Sequence, residues 1–271
     1  MSFLEPAFMQ RALLAALLVG LTAPVIGTFL VQRRLALMGD GIGHVALTGV
    51  ALGFLLGTAP VLTAIVLAIA GAIAIELLRQ HGKTSGDVAL ALLFYGGIAG
   101  GVLLIGLAPN ATNANLISYL FGSISSVSRT DLAVIAVLCL GVVGVVALLR
   151  RELFAVCHDE EVARVAGLAV RSLNLTIAVT AAVTVTVAMR VVGLLLVSAL
   201  MVVPVATANL FARSFFGSLG YSVAIGVVVS LAGLITAYYV DVAPGAAIVL
   251  TAIGLFLVVF VTGSVRGARL R

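Results

Sequence analysis

Residues 45–75 read VALTGVALGFLLGTAPVLTAIVLAIAGAIAI, which is 31 consecutive residues without an Asp, Glu, Lys or Arg. A helix of about 20 apolar residues crosses the hydrocarbon core of a bilayer, so this stretch is longer than one crossing needs. Gly57-Thr58-Ala59-Pro60 interrupts it near the middle with residues typical of a turn. We therefore predict two membrane-spanning helices joined by a tight turn at residues 57–60.

Apolar runs of this kind make up most of the chain. Of its 271 residues, 63% are hydrophobic and 9% are charged, a balance far from that of a water-soluble domain. The other charge-free runs are 12–32, 88–128, 132–149, 172–189, 191–212, 214–240 and 242–265. The sequence predicts an all-α fold, a polytopic transmembrane helix bundle with eight or nine spans, in a single transmembrane domain over residues 1–271.

Two of these runs need a decision about their boundaries. The run 88–128 is too long for one crossing, and we divide it at Ala108-Pro109-Asn110, which leaves 112–128 as a short or re-entrant segment. The first run is too long for the apolar core of a secretory signal and lacks a small-residue cleavage site, so we treat it as a span.

Lys and Arg are unevenly distributed over the predicted connections. If the connection 150–171 is cytoplasmic, alternating crossings put twelve of the 15 basic residues on that side and leave Arg11, Arg129 and Arg190 on the other. Cytoplasmic connections of membrane proteins carry such an excess. The net charge of +5 therefore indicates topology and contact with anionic headgroups, and no interleaving of basic and aromatic residues points to a nucleic-acid partner.

Asp40 and His44 stand four residues apart at the start of an apolar run, in the stretch MGDGIGHVALTGVALG (38–53). On a helix they share one face, and ionisable groups at membrane depth normally face a partner or a water-filled pathway. The alternative is a helix start near the headgroups, with Asp40 as the N-cap. Carboxylate oxygen with imidazole nitrogen suits zinc, manganese or ferrous iron, and a two-fold homodimer would double the two ligands to four.

Glycines recur every four residues in two places, as Gly49/Gly53/Gly57 and as the pairs Gly96/Gly100 and Gly97/Gly101. Such stripes let membrane helices approach closely. We expect them to pack helices within one chain more than between subunits.

The largest polar break, CHDEEVARVAGLAVRS (157–172), has the features of a short amphipathic helix. Three acids lie at its start and a glycine at its end, which suits the helix dipole and the C-cap. From the residues alone it is either a docking element or a helix resting at the membrane interface.

Other patterns mainly exclude functions. Cys139 and Cys157 form no C-x-x-C motif, so we expect neither a disulfide nor a thiolate metal site. Gly82-Lys83-Thr84 resembles the end of a phosphate-binding loop, but Leu77 stands where that pattern needs glycine, so we expect no ATP binding by this chain.

Two groups of polar residues within the spans are expected to bond locally. Thr176, Thr180 and Thr184 could line a pore, but membrane threonines more often bond carbonyls one turn earlier. Glu76 is expected to pair with Arg79 or Lys83.

Six stretches occur in an order and spacing typical of one family: FMQRALLAALLVG (8–20), RRLALMGDGIGHVALTGVALG (33–53), LISYLFGSISSVSRTDL (116–132), HDEEVARVAGL (158–168), VVGLLLVSALMVVPVATANL (191–210) and YYVDVAPGAAIVL (238–250). The chain resembles the membrane-spanning permease of the zinc, manganese and iron class of ABC importers over nearly its whole length. The resemblance implies a prokaryotic plasma-membrane subunit that is not itself an enzyme and holds no tightly bound cofactor.

The family's motifs imply roles for individual residues. Asp40 and His44 match a G-D-x-x-x-H stretch associated with passage of the transported metal. The pattern of the coupling helix, which docks on the ATP-binding subunit, is matched by Asp159, Glu161, Ala163 and Gly167, and Glu160 stands where the family commonly has proline.

The resemblance also implies partners, which are a second copy of the chain, an ATP-binding subunit on the cytoplasmic side, an extracytoplasmic metal-binding protein and the lipid bilayer. The alternative function is a proton-coupled secondary metal carrier. Such carriers commonly show buried acid relays or broken-helix inverted repeats, whereas only one acid–base pair enters the apolar region here. The sequence leaves the choice of metal open.

Overall fold

The computed structural model describes residues 6–80, 86–108, 118–123 and 127–268, and the regular elements within these ranges are all α-helices. In chain order they are α1 Ala7–Gln32, α2 Met38–Leu56, α3 Pro60–Gln80, α4 Gly86–Leu107, α5 Arg129–Leu148, α6 Arg150–His158, α7 Glu160–Val165, α8 Val170–Ala188, α9 Leu194–Asn209, α10 Phe215–Val240 and α11 Pro244–Ala268. The predicted all-α membrane bundle is confirmed.

The predicted break in the 45–75 run is confirmed as well. Helix α2 ends at Leu56, Gly57 adopts a left-handed backbone with φ of 65°, and α3 begins at Pro60. A residue with a Cβ is strained at positive φ, whereas proline is tolerated in the first turn of a helix. The helical hairpin therefore follows directly from these two residue types.

Eight helices among the described residues are long and apolar enough to cross a membrane, namely α1 to α5, α8, α10 and α11. Helix α9 is the ninth apolar helix, but its 16 residues rise only about 24 Å against a hydrocarbon core of about 30 Å. The predicted segment 112–128 lies partly outside the described residues, and within it residues 118–121 form one short helical turn.

The bundle is built around α1 and α8, which are its most buried spans. Helix α1 packs against α5, α8, α9 and α10, while α2 lies between α3 and α4. Helices α3, α4, α5 and α11 expose most of their apolar surface, as expected of elements at the periphery of a membrane bundle.

The glycine stripes pack helices within the chain, as predicted. A Cβ built on Gly49 would lie 2.5 Å from the Ala64 Cα on α3, and one built on Gly97 would lie 2.7 Å from the backbone of His44 on α2. Gly96 has open space around it. A Cβ on Gly100 would lie 3.2 Å from Cγ2 of Thr48 and one on Gly101 would lie 3.4 Å from Cγ of Leu47, so three of the four glycines face α2 and Gly96 does not.

The two predicted groups of local polar bonds are also confirmed. The hydroxyls of Thr180 and Thr184 donate to the carbonyls of Thr176 and Thr180, at 2.7 and 2.8 Å. Glu76, which is 2% exposed, accepts two hydrogen bonds of 3.1 Å from Arg79. Lys83, the other proposed partner, lies outside the described residues.

The ends of the bundle are tied by different contacts. At the end that the charge distribution assigns to the extracytoplasmic side, Arg190 forms an ion pair of 2.7 Å with Asp131 and lies over the ring of Tyr119. This anchors the connection between α8 and α9 to the start of α5.

At the opposite end, which we call the cytoplasmic end, the connection from α5 to α8 contains two short helices. Sequence analysis predicted one helix within 157–172, and the structure places α7 there. Helix α6, directly before it, was not predicted, because the Arg-Arg-Glu start at residues 150–152 was taken as part of a connection.

Candidate functional site

Helix α2 positions Asp40 and His44. The helix begins at Met38 with Leu37 as its N-cap residue, so Asp40 lies in the first turn and His44 one turn later. The alternative of Asp40 as the N-cap is therefore wrong. A carboxylate in the first turn is favoured by the helix dipole, and this placement leaves its oxygens free for other contacts.

Asp40 lies in an open groove of about 430 Å³ between the start of α2 and α4. The groove is otherwise lined by Leu37, Leu90, Ala91, Phe94 and Tyr95. Leu37 and Tyr95, at its edges, are both about two-thirds exposed. A carboxylate thus lies in an apolar groove that is open on the surface of a single copy of the chain.

Ser198 on α9 is the partner of Asp40, since its hydroxyl donates to Oδ1 of the carboxylate. Sequence analysis missed this residue. Its position 158 residues along the chain, among many other serines, gives no local signal. The hydrogen bond orients the carboxylate and leaves its second oxygen, Oδ2, directed away from this partner.

His44 lies one turn deeper, next to the wall of the groove. Its ring meets the ring of Phe94 edge-on, with centroids 4.5 Å apart, and the backbone of α4 at Gly97 approaches its own backbone. Its Nδ1 is buried without a hydrogen-bond partner among the described residues. Buried polar atoms are normally paired, so this is an uncompensated cost of the arrangement.

The structure therefore brings the two predicted ligand residues to one side of α2 but does not hydrogen-bond them to each other. Within the described ranges, no group of three or more His, Cys, Asp or Glu side chains could hold a metal ion. One copy of the chain offers two ligands at this site, fewer than the four that a zinc site commonly has.

The cytoplasmic residues that the family pattern assigned to docking divide into two groups. Asp159 caps α7 by accepting hydrogen bonds from the backbone N–H groups of Glu161 and Val162, at 2.9 and 3.0 Å. Gly167, with φ of 82°, ends the helix, and Ala163 is buried against the bundle. These three residues shape and seat the helix.

The outward face of α7 is formed by Glu161, Val162 and Val165, all of them exposed. Val165 is 90% exposed, an unusual position for a valine at the polar end of a bundle. An acidic residue beside two exposed valines gives this helix a surface that can be covered by a partner. Sequence analysis identified Glu161 but not the two valines.

Arg33, at the end of α1, joins α7 to the bundle. Its Nη2 lies 3.2 Å from Oε2 of Glu160, and its side chain is 6% exposed. Burial, together with the neighbouring charge of Arg79, lowers the pKa of Arg33 from its ordinary value.

Nearby, burial raises the pKa of the Cys157 thiol to about 11, which makes it an inert core residue.

Comparison with known proteins gives consistent results over the whole chain. The model of the ABC 3 transport family matches residues 5–263. The manganese import system permease protein ScaB of Streptococcus parasanguinis is 34% identical over 93% of this chain and 90% of its own length. The high-affinity zinc uptake system membrane protein ZnuB of Haemophilus influenzae is 30% identical over 91% of this chain and 94% of its own.

A solved structure has the same fold. PsaBC from Streptococcus pneumoniae, determined in complex with a Fab, matches with a TM-score of 0.82 and 33% identity. The match covers 94% of this chain and 92% of that one. The arrangement of α1 to α11 is thus shared along almost the entire length.

Proposed function

The chain belongs to the ABC 3 transport family, and from this premise we propose that it passes a divalent transition-metal ion between two copies of itself at Asp40 and His44. It is a multi-pass protein of a prokaryotic plasma membrane and the membrane permease component of its importer. The observation that supports the proposal is the open groove on the surface of one copy. Asp40 lies in this groove, and His44 lies one helical turn deeper.

The ligand chemistry supports a metal of intermediate hardness. One copy contributes a carboxylate oxygen and an imidazole nitrogen, and a second copy related by a two-fold axis doubles the set to two of each. Such a mixed set suits manganese, zinc and ferrous iron alike. Relatives of this chain are named for manganese and for zinc, and both metals fall within this range.

The site is built for brief contact with the ion. A tightly held metal usually has histidine ligands whose second ring nitrogen is fixed by a hydrogen bond. Nδ1 of His44 has no such bond among the described residues. Without that hydrogen bond the imidazole is a weaker ligand. Weak binding favours the fast exchange that transport requires, because the ion must leave as well as arrive.

Energy for the movement comes, in this proposal, from an ATP-binding subunit that docks on α7. Glu161, Val162 and Val165 offer it a small mixed surface, and Asp159 and Gly167 keep the helix intact by capping both ends. An extracytoplasmic metal-binding protein delivers the ion to the opposite end.

A proton-coupled secondary carrier is the second candidate, and no observation favours it. Glu76, a buried carboxylate that a proton relay could use, is bound by Arg79 and Gln80. Uptake by a secondary carrier would also continue without ATP.

The test is uptake of Mn²⁺ into proteoliposomes that contain the permease and its ATP-binding subunit. Asp40→Asn keeps an acceptor for Ser198 and removes the charge, while His44→Ala removes the imidazole. In metal sites, changing a residue that only supports a ligand lowers metal affinity or activity by roughly tenfold or more. Each of these variants changes a proposed ligand itself, so ATP-dependent uptake is expected to fall by at least as much.

Thr48→Ala is the matched control, because Thr48 lies one turn beyond His44 and donates a hydrogen bond of 2.7 Å to Gly97 on α4. This variant disturbs the same helix contact without touching a ligand, and its uptake is expected to stay within about twofold of the original protein. Normal uptake by both ligand variants would reject the site.

A further inference from the structure

The ion pair between Arg33 and Glu160 joins two parts of the chain that the proposed function treats separately. Arg33 follows the last residue of α1, and Glu160 is the first residue of α7. The side chain of Arg33 is 6% exposed and that of Glu160 is 38% exposed. The pair therefore lies at the boundary between the buried bundle and the surface on which a partner would dock.

Glu160 holds α7 through more than one contact. Oε2 accepts from Arg33, while Oε1 lies 3.4 Å from both Nη2 of Arg164 and Nδ2 of Asn174. Arg164 is on α7 itself and 67% exposed, so its pair cannot fix the helix to the bundle. Arg33, whose side chain is 6% exposed, is the buried cation of the set.

The connection from Arg33 to α2 is short and internally hydrogen-bonded. The N–H of Arg34 donates to the carbonyl of Val31, and that of Leu35 donates to Leu30, at 3.0 and 2.8 Å. The N–H of Met38 then donates to Leu35 at 2.9 Å. This is a helix-ending turn that runs directly into the next helix, with no free loop between them.

The same connection is anchored in the core. Leu35 and Met38 are both buried, and Arg34 adopts a left-handed backbone with φ of 58°, which a non-glycine residue accepts only when its surroundings fix it. A displacement of Arg33 therefore moves the start of α2, and Asp40 is two residues beyond Met38.

We propose that the Arg33–Glu160 ion pair transmits movement of the docking helix α7 to the first turn of α2, and so to Asp40. This inference rests on the proposed function. Arg33 and Glu160 are positioning residues, which set where the metal ligand stands and contact neither the ion nor ATP.

The test measures Mn²⁺ moved per ATP hydrolysed in the reconstituted complex, together with retention of the ATP-binding subunit during purification. Glu160→Ala is expected to keep the subunit bound and hydrolysing ATP while transport per ATP falls roughly fivefold or more, the scale of a typical coupling between sites. Arg164→Ala removes another partner of the same carboxylate and is expected to change the ratio by less than about twofold.

Arg33→Gln approaches the link from α1 and is expected to lower the ratio as Glu160→Ala does. The double variant is expected to lose no more than the stronger single one, because both changes break one interaction. If Arg33→Gln does not accumulate in the membrane, Arg33→Met, which also removes the charge, takes its place in the same comparison.

Three results would overturn the link. They are an unchanged transport ratio in Glu160→Ala, loss of the ATP-binding subunit from that variant, and a double variant whose effect is the product of the two single effects. Failure of the unaltered complex to take up any of Mn²⁺, Zn²⁺ and Fe²⁺ would instead overturn the proposed function, so the two failures are distinguishable.

Discussion

The groove at α2 and the cytoplasmic end treat their ionisable groups in opposite ways. At the cytoplasmic end, Arg33 is paired with Glu160, and Arg79 with Glu76. At the groove, Asp40 has one neutral partner, Ser198, and Nδ1 of His44 has none among the described residues.

The difference distinguishes charges that are paired within the chain from ionisable groups that remain available to a ligand. The paired charges neutralise each other within the chain, between α1 and α7 at Arg33–Glu160 and within α3 at Arg79–Glu76, so they need no ligand. Among the described residues neither Asp40 nor His44 forms an ion pair, so at this groove a cation would supply a charged partner that the chain does not. The comparison predicts that removing a paired charge such as that of Glu76 lowers stability, whereas removing Asp40 or His44 lowers transport.

The largest effect is expected from Gly97→Ala, which attacks the wall of the groove. The added Cβ would lie 2.7 Å from the backbone of His44, where no flexible side chain can give way. We expect a loss of about 3 kcal/mol in unfolding free energy, the upper part of the range for overpacking, together with loss of transport. Thermal unfolding in detergent measures the first and Mn²⁺ uptake the second.

Gly96→Ala is the control for that change, because the space around the neighbouring glycine is open. Its stability is expected to stay the same or to rise by up to about 1 kcal/mol from helix propensity. Equal stability of the two alanine variants would show that the groove wall is not packed as described.

Glu76→Gln tests the structural side of the comparison. The 2%-exposed carboxylate pairs with Arg79, which is 24% exposed and regains some hydration when the pair is broken. We expect a loss of about 2 kcal/mol, less than the cost of breaking a fully buried pair. Arg164→Gln, which breaks an exposed pair, is expected to change the free energy of unfolding by under about 1 kcal/mol. If Glu76→Gln left the free energy of unfolding unchanged, the distinction between the two sites would be lost.

The smallest effects are expected from single hydroxyls. Ser198→Ala removes the partner of Asp40, and we expect uptake to fall by about fivefold, the equivalent of roughly 1 kcal/mol. Thr184→Val removes a hydroxyl that bonds within its own helix, so both uptake and stability should change little. A larger loss of uptake from Thr184→Val than from Ser198→Ala would place the pathway along α8 instead.

Much of the fold was predictable because it follows from local residue types. Runs without charge specify the spans, and the turn at Gly57 and Pro60 needs only the residues that form it. The glycine stripes indicated close helix packing, but which side of the α4 stripe packs against α2 depends on how the helix is rotated. No local pattern fixes that rotation, and Gly96 and Gly97 differ only in this respect.

The candidate ligands could be singled out from the sequence, but their surroundings could not. Asp40 and His44 stand out in an apolar chain at helical spacing, whereas Ser198 and the Arg33–Glu160 pair join residues more than 100 positions apart. Ala163 was grouped with the docking residues, yet it is buried. A helix of six residues is too short for its pattern to distinguish the inward face from the outward one.

The most direct measurement is an anomalous-difference map of the purified permease loaded with Mn²⁺. The account predicts a peak on the two-fold axis, with the carboxylates of Asp40 and the imidazoles of His44 from both copies about 2.0 to 2.2 Å away, as for comparable oxygen and nitrogen ligands of zinc. A map in which both side chains face lipid and the metal is bound elsewhere would contradict it.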